Sequence, residues 1–589
     1  MLNEVLEIKK KILFRLVDSG INITPKSLDA IAQLENPQDS LNKILKDLAI
    51  LPSFKSHITE EILLKTNSTE LLKILKRITF YKEKQKLHDV QESQDVDLKK
   101  GSRTSRILTT SKTKMTSNLL GESIPQTKFP QKQYAIKEEK RFQILKRNQE
   151  KSFESSGSKT HFSPVARDYD HDYKIISDPT GKLYTTGDYE DFYALTLDKF
   201  KKLLSLMQKR QDVKSSMNIK NILSLRGTTE VSAIGLVNNI HHTKNGNVIF
   251  TLEDLTGEIT VLVRKDLDNP EIFKIIERTI NDQMLYIEGS YNPANNSKSG
   301  IIYANYLTKI DIPANYKPSM ASVPLSIALI SDTHIGSKEF EEKTFERFIN
   351  FLNGKIGSSN QRNLAGRIKY LVINGDLVDG IGVYPNQQDD LIIKDIYEQY
   401  KYAHELLSRI PDYIKIFYVA GNHEPVRNAI PRPAVPRKYC EDLVALGVKC
   451  LGNPSIISTH GVKTLIYHGE GIHDMNLLIH DLDINKPTET MKEFLKCRHL
   501  APIYGEKTQL APTNKDWLVI EKIPDVFHTA HVHINGYGKY RNVNLINSGC
   551  FQDQTDYMRS FGIDPTPGKV PILELDTLKI QEIDFKRII

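Results

Sequence analysis

At 589 residues, 39% of them hydrophobic and 26% charged, the chain is too long for one core and reads as three or four folded units of a water-soluble protein. The absence of any 18-residue apolar run excludes a membrane span, and Glu4 and Glu7 ahead of any apolar block exclude a signal peptide. Four cysteines without a CxxC pair exclude a disulfide framework or zinc ribbon and imply a reducing interior, and the net charge of +7 is mild enough that its distribution matters more than its total.

Residues 1–80 predict a small helical domain. "TPKSLDAIAQL" offers Thr24 as N-cap and Pro25 at the first helical position. "PQDSLNKILKDLAIL" and "STELLKILKRI" repeat apolar residues at three- and four-residue steps. Residues 81–167 read as a basic disordered linker rich in Ser, Thr and Lys, with 16 Lys and Arg against 5 Asp and Glu over 99–167. Such a tether suits contact with nucleic-acid phosphates, or it simply stays solvated and extended. Residues 168–225 predict a helical connector, carried by "YALTLDKFKKLLSLMQKRQ".

Over 226–315 the pattern turns to β. "TEVSAIGLVNNI", "KNGNVIFTLEDLTGEITVLVRKD" with turns at Asn245-Gly246 and Asp254–Gly257, "MLYIEGSYN" and "GIIYANYLTKI" give five short strands. That count and spacing suggest a small Greek-key barrel like the OB-fold. Without dense basic–aromatic alternation, docking is the favoured role over strand binding. From 320 to 589, apolar strands alternate with helical stretches, which is α/β layering with functional groups at strand ends.

Those ends carry a metal-ligand set. "VPLSIALISDTH" delivers Asp332 and His334, "IKYLVINGDLVD" Asp376 and Asp379, "YIKIFYVAGNHEP" Asn422 and His423, and "VKTLIYHGE" His468. "PDVFHTAHVHINGY" then places His531 and His533 one residue apart, which turns both imidazoles to one side of extended chain. Steps of 44, 46, 46 and 63 residues separate Asp332, Asp376, Asn422, His468 and His531, and most suit a strand–helix crossover.

Two divalent ions held close together need a bridging carboxylate, and Asp376 is the natural one. One ion would take Asp332, His334, Asp376 and His533; the other Asp376, Asn422, His468 and His531. Mixed imidazole, carboxylate and amide donors favour Mn²⁺, with Fe²⁺ or Zn²⁺ as alternatives, over Mg²⁺. Ions so placed generate a hydroxide nucleophile and clamp a phosphoryl group for in-line attack. His423 is left to serve as general acid at the leaving oxygen, and Arg427 to contact a phosphate. Asp379 is expected to orient a ligand histidine, His528 to be structural, and His473 to sit at the rim. Each piece alone is weak; five in order at strand ends are specific.

At these residues the chain resembles the calcineurin-like metallophosphoesterases, whose pattern is D-x-H, G-D-x-x-D, G-N-H-[DE], a lone His and G-H-x-H. Ala530 stands where the pattern has its last glycine, which removes no ligand. The order of helical domain, linker, OB-like barrel and phosphoesterase is similar to that of B-subunits of replicative DNA polymerases. "LKCRHLAPIYGEKTQLAP", "WLVIEKIPDVFHTAHVHINGYGKYR" and "GNHEPVRNAIPRPAVP" look like the small subunits of archaeal DNA polymerase D over about 220–589. The resemblance implies a four-layer α/β phosphoesterase domain and a 3′→5′ proofreading exonuclease acting on single-stranded or frayed 3′ DNA ends. It implies a large catalytic polymerase subunit as partner in a heterodimer or larger assembly, with sliding clamp or primase as further partners. It also implies a cytoplasmic, nucleoid-associated setting without a membrane. Eukaryotic B-subunits have lost metal ligands, whereas this chain keeps all seven. A mainly structural subunit and a free-standing phosphatase or repair nuclease are the rival readings.

Overall fold

Apolar residues at helical spacing organise the first of two units. A computed structural model describes parts of residues 8–71, then 162–588 except 266–269, 294–299 and 561, and the chain divides between residues 153 and 154. In the first unit, helices Pro25–Ala32 and Pro37–Ala49 bury Ile31, Leu41, Ile44 and Leu48 in one cluster with Ile12, Leu16 and Ile58. The first begins at Pro25, whose missing N–H costs nothing in a first turn. Asn22–Ile23 and His57–Ile58 pair as a short parallel bridge. The expected N-cap Thr24, nearly all of the "STELLKILKRI" helix and residues 81–161 of the expected linker lie outside the described residues.

The second unit starts earlier than the sequence suggests. Residues 162–167, placed by sequence in the linker, pack against the body: Ala166 is fully buried, and Lys369 Nζ donates to its carbonyl at 3.0 Å. The segment expected as a helical connector contains strand β1 (Tyr173–Ser177) as well as helix Tyr189–Gln208.

Next, β2 (Thr229–His242), β3 (Val248–Asp254), β4 (Gly257–Val263), β5 (Met284–Asn292) and β6 (Ile301–Lys309) close a five-stranded barrel in the order β2-β3-β4-β6-β5. Alternate residues such as Val248, Phe250 and Leu252 point into its core, as a period of two requires. Lys309 at the end of β6 reaches Glu493 at 3.3 Å, and the partly exposed Arg278 reaches the same buried carboxylate at 3.2 Å, so ion pairs join the barrel to helix Pro487–Cys497.

The remainder forms two six-stranded sheets. One contains β7 (Ser326–Ile330), β8 (Ile368–Asn374), β9 (Lys415–Val419), β10 (Lys449–Leu451), β16 (Lys569–Glu574) and β17 (Ile580–Asp584), in the order β10-β9-β8-β7-β16-β17. Its four strands β7 to β10 run parallel, and β8 is buried at every residue, the signature of a strand covered on both faces. The other contains β11 (Ser455–Thr459), β12 (Val462–Ile466), β13 (Val526–Thr529), β14 (Gly536–Tyr540) and β15 (Val543–Asn547), with β1 on its edge, in the order β14-β15-β13-β12-β11-β1. Ile327, Val372 and Phe417 of the first sheet share one core with Ile457, Val462, Val526 and Ile546 of the second. Helices Glu342–Leu352 and Ile396–Leu407 add Phe348, Tyr400 and Ala403 to that core. Among the described residues no helix is long and apolar enough to cross a membrane.

Candidate metal centre

The ligand-bearing ends come from both sheets. Strands β7, β8 and β9 lead into Asp332/His334, Asp376/Asp379 and Asn422/His423, while β12 and β13 lead into His468 and His531/His533. The centre therefore sits where the two sheets' strand ends converge, not along the rim of a single sheet.

The backbone is bent to bring these groups together. Asp332, His334, Asp376, His531 and His533 all adopt left-handed φ values, between 49° and 71°. Such conformations are sparsely populated for Asp and His and collect at functional sites. Gly375 (φ 84°) lets the chain pass the His468 imidazole, which a Cβ there would overlap. A Cβ at Gly421 would strike the Asp376 carboxylate in the same way. Glycines thus let two loops approach the bridging position closely.

Three clusters of ligand atoms, each within 4.8 Å, form here: Asp332, His334 and His533; Asp376, His468 and His531; and His334, Asp376 and His423. The first two are the cores of the two ligand groups expected from sequence, and Asp376 contacts both. His468 Nε2 lies 3.2 Å from Asp376 Oδ2 and 3.1 Å from Asn422 Oδ1, which brings in the amide. His533 Nε2 lies 3.5 Å from Asp332 Oδ1, and His334 Nε2 lies 3.8 Å from Asp376 Oδ2. The third cluster places His423 within reach of the same carboxylate, beyond the role sequence assigned it.

Backbone and side-chain acceptors fix the ring tautomers. His334 Nδ1 donates to Asp379 Oδ1 at 2.8 Å, and His468 Nδ1 donates to the Asn374 carbonyl at 2.8 Å. Both rings thereby turn Nε2 toward the cluster, as metal-ligating histidines do. His423 Nδ1 donates to the Asp379 carbonyl at 2.6 Å, and its amide donates to Asp376 Oδ1 at 2.9 Å.

The donor set fits divalent cations. His334 Nε2 and His533 Nε2 face each other at 3.2 Å, two ring nitrogens aimed at one region. The buried Asp332 Oδ1 has no hydrogen-bond partner, a costly arrangement unless a positive charge balances it. Burial pushes the Asp332 carboxyl up to about 7, with the Asp376 charge adding to it. Burial opposes protonation of His468, yet the Asp376 carboxylate raises it to about 9. His531 and His533 are held well below the ordinary imidazole value by burial and by neighbouring histidines, so both present free lone pairs at neutral pH. Nitrogen and oxygen donors in this mixture suit Mn²⁺, Fe²⁺ or Zn²⁺.

Arg427 is half-buried and donates both Nε (3.0 Å) and Nη2 (2.6 Å) to the Pro431 carbonyl, so it folds over its own loop beside the Asn422–Glu424 turn. His528 is buried in β13 on Ser548 Oγ at 2.9 Å, and the His473 ring stands 5.2 Å from that of His531.

Sequence reasoning missed the groups that hold the loops. Glu424 accepts from Asp376 N (3.0 Å), Leu377 N (2.8 Å), Gly421 N (2.6 Å) and Tyr418 Oη (2.6 Å), tying the Asp376 loop to the Asn422 loop. Its only sequence signal was its place after Asn422 and His423. Arg432, also buried, pairs with Glu470, which accepts from Asn453 Nδ2 at 3.0 Å. Asn453 Oδ1 in turn accepts the His468 amide at 3.1 Å. No spacing rule flags that chain.

Comparison with known proteins adds a family. Residues 325–535 match the calcineurin-like phosphoesterase family. The DNA polymerase II small subunit of Methanothermobacter thermautotrophicus is 41% identical over 420 residues, spanning 71% of this chain and 84% of that protein. Its counterpart in Methanocaldococcus jannaschii is 38% identical over 413 residues, 70% of this chain and 68% of that protein. A solved archaeal phosphodiesterase aligns over 44% of this chain and 99% of its own at 13% identity, with a TM-score of 0.23 that carries no argument.

Proposed function

Since this chain belongs to the archaeal DNA polymerase II small-subunit family and carries a calcineurin-like phosphoesterase domain, we propose that it is a dinuclear-metal 3′→5′ exonuclease. It removes mismatched 3′ nucleotides for a large catalytic polymerase subunit. The observation that carries this reading is the pair of ligand clusters, Asp332/His334/His533 and Asp376/His468/His531, linked where Asp376 also approaches His334, with Asn422 completing seven donors drawn from two sheets.

Asp332, His334, Asp376 and His533 would hold one ion, and Asp376, Asn422, His468 and His531 the other, Mn²⁺ being the best match to these donors. Bound there, divalent ions supply charge neutralisation at a phosphodiester and acidify water at neutral pH. The protein's own groups do the rest. Asp379 fixes the His334 ring and the Asn374 carbonyl fixes that of His468, so neither rotates when substrate enters. His423, anchored through Nδ1, offers Nε2 to the leaving oxygen. Its neutral ring has no proton at Nε2, so donation there needs the imidazolium. Burial holds the ring's pKa below the ordinary imidazole value, against the opposing pull of the Asp376 charge. Arg427 reaches a phosphate by exchanging its bonds to Pro431. The five-stranded barrel is read as an OB-fold that docks the partner, and the basic stretch 99–167 as a tether available to DNA phosphates or left solvated.

The test is Mn²⁺-dependent digestion of 5′-labelled DNA with a mismatched 3′ end, with and without the large subunit. Stepwise shortening by the wild type, lost in Asp376→Asn and His423→Ala, supports the reading. No shortening under any metal, with the large subunit still bound, replaces it with a structural scaffold.

A further inference from the structure

Four tyrosines of the larger unit stand largely in solvent: Tyr184 at 90% exposure, Tyr189 at 78%, and Tyr193 and Tyr504 at 56% each. They share one surface. Tyr189, Phe192 and Tyr193 lie at i, i+3 and i+4 of helix Tyr189–Gln208, hence on one face. The Phe192 ring meets that of Tyr504 edge to face, with centroids 5.9 Å apart. Thr185 Oγ1 donates to the Pro512 carbonyl at 2.6 Å, which lays the Tyr184 segment along the 502–517 loop. Ammonium groups punctuate the rings: Lys182 Nζ lies 5.4 Å from the Trp517 ring centroid and Lys515 Nζ 4.7 Å from it.

A chain of contacts links this surface to the metal centre. Three residues beyond Tyr504, the exposed Lys507 donates its amide to Asp474 Oδ1 at 3.2 Å. The neighbouring His473 ring is 5.2 Å from the ligand His531. Three residues of chain span at most about 11 Å, so Tyr504 lies no farther than that along the chain from the Lys507 end of these contacts. Of the nearby acids, Asp188 and Asp191 accept hydrogen bonds from Thr186 and Gly187 and Asp282 accepts the Tyr504 amide at 3.1 Å, while Asp188, Glu190 and Glu506 are exposed.

We propose that this aromatic and basic ledge holds the single strand whose 3′ end enters the metal centre, with bases stacked on the exposed tyrosines and phosphates met by Lys507, Lys182 and Lys515. The inference rests on the phosphodiesterase reading of that centre. Single-stranded DNA is favoured over a protein partner by two features: contacts through Lys507, Asp474 and His473 join the ledge to the site, and rings interleaved with lysines match a ligand that alternates flat bases with anions. Stacking of this kind tolerates any sequence, as a proofreading subsite must, because every base has a π-face.

The experiment measures fluorescence anisotropy of a labelled 12-nucleotide oligo(dT) with the full chain in EDTA, beside Mn²⁺-dependent hydrolysis of bis(p-nitrophenyl) phosphate. Tyr189→Ala/Tyr504→Ala is expected to weaken oligonucleotide binding roughly tenfold or more, with small-diester hydrolysis unchanged. Tyr189→Phe/Tyr504→Phe retains binding, and Lys507→Gln lowers the salt slope by about one. Unchanged oligonucleotide affinity in the alanine variant overturns the proposal, and if that variant at the same time fails to retain the large subunit in a pull-down, the ledge is a protein interface instead. Because binding is read without metal, a wild type that hydrolyses no diester sinks the catalytic reading separately.

Discussion

Substituting Glu424 by glutamine keeps the side chain's size and removes one acceptor oxygen. Four donors converge on this buried carboxylate, two on each oxygen: Leu377 N and Tyr418 Oη on Oε1, Asp376 N and Gly421 N on Oε2. A glutamine amide accepts one pair and confronts the other with its own N–H₂. The tyrosine hydroxyl can rotate to donate elsewhere, but the backbone amides cannot. One or two buried donors then lose their partner at roughly 1–3 kcal/mol each, so the variant is expected to lose about 2–5 kcal/mol of folding stability. The damage falls on the loops that carry Asp376 and Asn422. Mn²⁺ affinity is therefore expected to drop about 10- to 100-fold, the range for groups that orient ligands. Urea denaturation and Mn²⁺ titration calorimetry measure both. A Glu424→Gln protein with wild-type stability and Mn²⁺ affinity would refute the claim that this carboxylate holds the two loops together.

Gly375→Ala forces a side chain into left-handed backbone and onto the His468 ring, so it is expected to cost more than about 2 kcal/mol and to abolish tight Mn²⁺ binding in the same titration. Arg432→Met leaves the Glu470 carboxylate without its buried partner and is expected to destabilise by about 3–5 kcal/mol. Adding Glu470→Gln should recover part of that loss in a double-mutant cycle by thermal unfolding. His528 is held neutral by burial and by the His468 charge, with its value pushed down to about 3. Below its unfolded value near 6.5, the unfolded chain binds a proton that the folded chain does not. Stability should therefore fall as pH drops from about 6.5 toward 3, by up to ~1.4 kcal/mol per unit. His528→Gln should flatten that slope by about one proton in denaturation series at pH 5–7, and an unchanged slope would clear His528 of the effect.

The candidate ligand residues that the structure gathers were legible because metal chemistry restricts side chains to a few types and loops at strand ends display them. The split of those ends between two sheets was not. The 46-residue steps to Asn422 and to His468 are equal, yet the first stays within a sheet and the second crosses to the other. The left-handed backbone at five candidate ligands was hidden for a related reason, since Asp and His lack the glycine that advertises such turns. Barrel strands followed their alternation closely, from the Asp254–Gly257 turn to the inward Phe250. Strand β1 escaped notice because "YKIIS" sits on a sheet edge with no fully buried residue to enforce a period. Glu424 and Arg432 act through hydrogen bonds to backbone atoms and partners far along the chain. Periodicity does not encode such contacts.

Counting bound Mn²⁺ per chain by calorimetry and elemental analysis tests the shared centre most directly. Two ions are expected for the wild type, one tight ion after either His533→Ala or His531→Ala, and loss of both tight sites after Asp376→Asn. A single ion in the wild type, or two ions unaffected by Asp376→Asn, would contradict a shared centre.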